Sequence, residues 1–105
     1  GWSTSTGDAD WAVRPLLAGE MAPPKGYNVG FYDNPTVNRL IKAGISTADP
    51  AKRAQVYAEL QRVIWEDVPW VFLYVPQNVW GTGADVEGVY VRGDGIVNYN
   101  GIAFK

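Results

Sequence analysis

The sequence predicts an α/β chain in which a helical pair packs on a small sheet and a hairpin follows at the C-terminal end. Two starts of the form Asx-Pro, Asn34-Pro35 and Asp49-Pro50, each precede apolar residues at helical spacing and predict the pair. The apolar run Trp70–Val75 lacks alternation, which predicts a strand buried on both faces. Gly93-Asp94-Gly95 between two strand-like runs predicts the hairpin.

Taken in order, Gly1–Thr6 reads as a short strand running into a polar turn at 7–9. Asp10 is an N-cap candidate for a helix over Trp11–Ala18, with Gly19 as its stop and Pro15 keeping it short or distorted. Glu20–Gly30, with Pro23, Pro24, Gly26 and Gly30, has no periodicity and reads as a surface loop. Phe31 and Tyr32 are expected to pack the end of that loop onto the body. In the first helix of the pair Val37, Leu40, Ile41 and Ile45 form the apolar stripe. In the second, reaching about Asp67, Val56, Tyr57, Leu60, Val63 and Ile64 form one buried face, leaving Lys52, Arg53, Glu59 and Arg62 on the wet side. The short link Ser46–Ala48 makes the pair antiparallel. Pro69 ends the second helix. Asn78–Trp80 with Gly81 and Gly83 reads as a crossing or hinge. Gly88–Arg92 and Ile96–Tyr99 are the hairpin strands, and Gly101–Lys105 is a tail without a predicted element.

Composition removes several function classes. With 105 residues the chain has room for one core, and its net charge of −2 comes from dispersed charges of both signs, so no basic stripe invites nucleic acid. No apolar run approaches the roughly 20 residues that span a bilayer, and the N-terminus has no signal-peptide pattern. Histidine and cysteine are both absent. That excludes Ser-His-Asp and Cys-His catalysis and disfavours a zinc site, so neither a metal nor a cofactor is predicted. A start at Gly1 without methionine is expected of a processed product or a piece of a longer protein. The five tryptophans and six tyrosines suit a carbohydrate or peptide binder, or a small core built from large side chains.

The stretch with the most chemistry is Trp2, Ser3, Thr4 and Ser5, continued by Thr6, Gly7, Asp8 and Asp10. Hydroxyls in series offer donors and acceptors, and the indole adds a flat apolar wall with one N–H, a combination suited to a small polar ligand. The competing reading is a Ser/Thr-rich connector leading to a helix cap. For Asp8 and Asp10, capping explains the carboxylates better than calcium binding or acid/base work, because no further acidic ligands follow at the needed spacing. Glu66 and Asp67 stand where the helix dipole disfavours negative charge, so an ion pair or a solvated end is expected. Gly81-Thr82-Gly83 and Gly93-Asp94-Gly95 lack a phosphate-loop pattern and read as turns. Trp65 and Trp70 read as core or interface residues.

Four phrases in order, Trp2-Ser-Thr-Ser-Thr-Gly-Asp-Ala-Asp-Trp11, Gly30-Phe-Tyr-Asp-Asn34, Asp49-Pro-Ala-Lys-Arg53 and Ile64-Trp-Glu-Asp-Val-Pro-Trp70, resemble the C-terminal part of the family 5 extracellular solute-binding proteins. The resemblance is nearest to the glutathione-binding subgroup, runs over almost the whole chain and is less sharp after about Thr82. It implies a two-lobed periplasmic-binding-protein fold around a cleft, of which residues 1–77 supply part of the second, ligand-binding lobe. Residues 78–105 would then be the hinge crossing and a hairpin returning towards the first lobe. It also implies a periplasmic, non-enzymatic part of an ABC importer, with a permease and a small peptide-like solute as partners and Trp2, Ser3, Thr4 and Ser5 as the ligand wall. In peptide-binding members an aspartate corresponding to Ser5 receives the peptide's α-amino group. Ser5 lacks the charge for that bond, which favours glutathione or another small polar solute. Two other readings stand beside it: a structural fragment that self-associates and binds no ligand alone, and, weakest, a hydrolase using Asp8.

Overall fold

The computed structural model describes residues 2–4 and 6–105. In chain order it contains α1 (Ala9–Leu17), a 3₁₀ turn (Gly19–Met21), α2 (Pro35–Ser46), α3 (Pro50–Asp67), β1 (Val86–Glu87), β2 (Tyr90–Val91), β3 (Val97–Asn98) and β4 (Ala103–Phe104). The class is mixed α/β as the sequence predicts, but the helices and strands are organised separately.

Asp8, not Asp10, caps α1. Its carboxylate accepts from Asp10 N at 2.8 Å, which frees Asp10 to pair with Arg14 Nε at 2.9 Å one turn on. Pro15 lies inside this helix and is buried, so α1 stays at nine residues. The loop that follows is anchored by Asn28, which is wholly buried. Its amide donates to Ala18 O at 3.0 Å and Tyr32 O at 2.7 Å, and its carbonyl accepts from Tyr32 N at 3.1 Å. Burying this amide is tolerable because each polar atom is matched. Tyr32 packs against the core as expected, whereas Phe31 points outward from a backbone held at φ +51°.

Both Asx-Pro starts behave as predicted. Asn34 accepts from Thr36 N and Val37 N, Asp49 accepts from Ala51 N and Lys52 N, and each proline occupies the first helical turn, where its missing N–H costs nothing. Asn34 also donates to Asp67 Oδ2 at 2.6 Å, tying the start of α2 to the end of α3 and establishing the antiparallel hairpin. Val37, Leu40 and Ile41 of α2 meet Tyr57, Leu60 and Ile64 of α3, with Leu17 and Ala18 closing the cluster. Ile45 falls outside the stripe and is exposed.

Two predicted strands are absent among the described residues, Gly1 and Ser5 of the first lying outside them. Among the described residues of Gly1–Thr6 none is in a strand, and Val71–Gly83 contains neither helix nor strand. Val71, Leu73, Tyr74 and Val75 are exposed, Val75 to 94%. A strand buried on both faces needs a neighbour on each edge and a layer above and below; the ladders among the described residues pair only β1 with β4 and β2 with β3. No strand residue enters the core cluster, so the helical pair packs on α1 and its loop instead of on a sheet.

The C-terminal hairpin does form. Tyr90 faces Asn98 and Val91 faces Val97, while Arg92 N donates to Ile96 O and Gly95 N to Arg92 O, both at 2.9 Å. Gly95 adopts φ +83°, which the turn requires. The tail adds an unpredicted outer ladder, Val86 to Phe104 and Glu87 to Ala103. Gly88, at φ +72°, sits where the two ladders meet; a Cβ there would come within 1.8 Å of Gly101 O. The radius of gyration is 17.7 Å, against about 13 Å for a compact domain of this length. The chain covers its helical core and leaves much of its apolar surface open.

Candidate ligand-binding site

The hydroxyl run is held at both ends by α1. At its start, Trp2 Nε1 donates to Trp11 O at 3.0 Å. Trp11 O is the carbonyl that the N–H of residue 15 would satisfy in an uninterrupted helix, and Pro15 has no N–H. The indole therefore supplies the donor that proline removes. Its ring lies 5.3 Å from that of Tyr27 at 56°, and Trp2 remains 39% exposed. At its end, Thr6 Oγ1 accepts from Asp8 N at 3.2 Å, and Gly7 turns the chain at φ +69°.

Asp8 carries the anchor into α3. Arg53 Nη2 donates to Asp8 Oδ1 at 2.7 Å and to Tyr57 OH at 3.2 Å, and Arg53 Nε donates to Gly44 O at 2.9 Å. One guanidinium thus joins the run, the end of α2 and the first half of α3. The fork geometry of arginine permits this where lysine would not. Arg53 and a backbone N–H hold the Asp8 carboxyl below its ordinary range, Asp8 raises Arg53 in turn, and burial pushes the Tyr57 phenol up. The sequence places Arg53 on the wet side of α3 by its helical phase; the structure corrects this, and nothing local in the sequence marks the partner 45 positions away.

Of the predicted wall residues, Ser3 is exposed and Thr4 half-buried, Trp2 presents a ring with its N–H engaged by Trp11, and Ser5 lies outside the described residues. Thr6 and Gly7 face the tip of the β2–β3 hairpin at Arg92, Gly93 and Asp94, a juxtaposition that residue order alone does not reveal. Elsewhere, the Tyr32 hydroxyl and the Asn34 amide donate to Asp67 at 2.5 and 2.6 Å and hold its carboxyl below the usual range, while Arg62 pairs with Glu66 at 2.7 Å. Glu66 thus has the ion pair expected at that helix end, and the exposed Asp67 adds two neutral donors that the sequence did not indicate. Trp65 stacks on Phe72 at 5.6 Å beside an apolar groove that Trp70 also lines. Among the described residues there is no group of three or more acidic, cysteine or histidine side chains that could hold a metal, and no helix is long and apolar enough to cross a membrane.

The chain is 38% identical over 94% of its length to the glutathione-binding protein GsiB of Pectobacterium atrosepticum. It is 38% identical over 90% to the protein of that name from Salmonella typhimurium, and 37% identical over 90% to that from Escherichia coli K12. It spans about a fifth of the length of these relatives, 19%, 18% and 18%. No family model matches. The relatives bear out the resemblance to the glutathione-binding family 5 solute-binding proteins that the sequence motifs carry.

Proposed function

We propose that this chain, homologous along nearly its whole length to glutathione-binding solute-binding proteins, is one wall of a solute cleft in a longer receptor for ABC import. The observation that carries the reading is the extent of that similarity, nine-tenths of this chain against under a fifth of each relative. The ligand is a small peptide-like solute of the glutathione class. Trp2, Ser3, Thr4 and Ser5 form the wall: hydroxyls hydrogen-bond the solute's amide groups and the exposed indole face packs on its apolar parts. The helical core, through Arg53 and Asp8, fixes the end of that run in place. Residues 1–77 belong to the ligand-binding lobe, and residues 78–105 cross back towards the other. Capture occurs in the periplasm, a permease reads the closed form, and no bond is made or broken.

The test is a chimera in which this chain replaces the matching segment of a full-length glutathione-binding relative. Calorimetry is expected to find glutathione binding retained, and weakened at least about tenfold when residues 2–5 are all alanine, the effect of losing one or two hydrogen bonds to a charged ligand. Equal affinity of the two chimeras would reject the wall. The exposed run Val71–Val75 favours a second reading, self-association without ligand. Sedimentation that stays monomeric across a hundredfold concentration range, about two decades of mass action, would reject that one.

A further inference from the structure

The hydroxyl run ends in a cleft of about 180 Å³ lined by Thr6 and Gly7 on one side and by Arg92, Gly93 and Asp94 on the other. We propose that Arg92 is a specificity residue for the ligand of this cleft, receiving a carboxylate of the solute whose body lies along the hydroxyl run. This rests on the ligand-wall reading above and adds to it the group that selects an anionic end.

The charge that the cleft presents follows from how its ion pair is built. Arg92 Nη2 lies 2.7 Å from Asp94 Oδ2, and Ile96 N donates to Asp94 Oδ1 at 3.2 Å. Both carboxylate oxygens are engaged, and the Asp94 side chain is only 9% exposed, whereas that of Arg92 is 55% exposed. The anion is folded into the turn and the cation faces outward. A guanidinium has five N–H donors in a planar fork. Asp94 takes one N–H of Nη2 and holds the plane in place, leaving the other Nη2 N–H and the neighbouring N–H parallel to it, and no second ion-pair partner of Arg92 exists among the described residues. The free part of the fork has the geometry that binds a carboxylate through two parallel bonds.

The surroundings suit an end group. The base of Arg92 is fixed on both sides by the turn, its N–H donating to Ile96 O and its carbonyl accepting from Gly95 N. Gly7 and Gly93 would meet nothing within 4 Å if each carried a Cβ, so this part of the cleft has open space beside bare backbone. Thr6 Oγ1 already accepts from Asp8 N, which leaves the hydroxyl proton to donate to a ligand oxygen. A volume near 180 Å³ is below the roughly 300–1,000 Å³ that encloses a whole small ligand. It holds one terminus while the remainder lies along residues 2–5.

The experiment is an amide NMR titration of the 105-residue chain with reduced glutathione, and with its ester-blocked form, into the millimolar range. Glutathione is expected to shift the amides of Gly7 and Gly93 and the Arg92 Nε–H, together with Ser3 and Thr4. The ester should shift the first group with affinity about tenfold weaker, the effect of one lost charge-assisted pair. Arg92→Gln is expected to abolish the Gly7 and Gly93 response while Ser3 and Thr4 still respond, and Arg92→Lys to restore only part of it, with the β3 amides reporting that the hairpin is intact in both. If Arg92→Gln titrates like the parent, or acid and ester act alike, Arg92 is an ordinary hairpin ion-pair residue and the proposal falls while the wall reading survives. A response at Gly7 and Gly93 without one at Ser3 and Thr4 overturns the wall and leaves the carboxylate site. No response anywhere overturns the carboxylate site, and the wall reading is then decided by the full-length chimera described above.

Discussion

Trp2 Nε1 donates to the carbonyl oxygen of Trp11, the one carbonyl in α1 that Pro15 deprives of its helical partner. A residue of the candidate ligand wall is thus also the plug for a break in the first helix. Trp2→Phe keeps the ring and removes the donor, and is expected to cost about 0.5–1.5 kcal/mol. In a Pro15→Ala background, residue 15 regains an N–H for Trp11, so the same change should cost close to nothing. Denaturant unfolding of the four proteins of this cycle checks it, and an unchanged cost in both backgrounds would show the hydrogen bond to be energetically idle.

Gly44 and Tyr57 illustrate a different constraint. A Cβ on Gly44 would lie 2.7 Å from Tyr57 Cζ, a ring atom packed in the core. Gly44→Ala should gain up to about 1 kcal/mol of helix propensity and lose about 1–3 kcal/mol to overpacking. The expected net is destabilisation, read as a lower denaturation midpoint with unchanged slope. Leu60→Ala, in the same wholly buried layer, should cost about 2–5 kcal/mol.

The ionisable anchors set the pH limits. Asp8, depressed mainly by its bond from Arg53, and Asp67, depressed by Tyr32 and Asn34, contribute stability that is present above the unfolded carboxyl value, about 4, and lost as pH falls through their lower native values. Tyr32 and Tyr57 are raised chiefly by burial, so their contribution is present below the unfolded phenol value, about 10, and lost as pH rises above it. Thermal melts should therefore be level between about pH 5 and 9 and fall on either side. Asp8→Asn should reduce the acid-side fall, and Tyr32→Phe the alkaline one.

The exposed apolar run makes a prediction about association. Val71, Leu73, Tyr74 and Val75 have no strand partner and face solvent. Any concentration-dependent mass should disappear in a Leu73→Lys, Val75→Lys double variant, since charges on an open edge prevent pairing. Its helical circular dichroism should be unaltered, because neither residue touches the helical core.

What could be read from residue order divides along physical lines. The α2–α3 hairpin was legible because its signals are local: Asn34-Pro35 and Asp49-Pro50 start the helices and the 3.6-residue period selects their buried face. The Gly93-Asp94-Gly95 turn was legible for the same reason. Trp70–Val75 misled because an apolar run registers the wish for burial and not the presence of neighbours to provide it. Asp8 displaced Asp10 as the cap through a choice between two equivalent side chains two residues apart. The role of Arg53 was not legible because its partner Asp8, 45 positions away, is brought to it only by the fold, and the approach of the Arg92–Asp94 turn to Thr6 and Gly7 has the same origin. For the candidate site, the hydroxyl run is legible by its chemistry, while the opposing hairpin tip has no sequence mark beyond its turn.

On the function proposed above, this chain carries one wall of a cleft whose closure needs the remainder of a longer protein. Isothermal titration calorimetry of the 105-residue chain with reduced glutathione tests it most directly. A single wall with a few hydrogen bonds is expected to bind with Kd of about 1 mM or weaker, near 4 kcal/mol. A saturating isotherm with micromolar Kd would mean that these residues form a complete site by themselves, and would contradict the account.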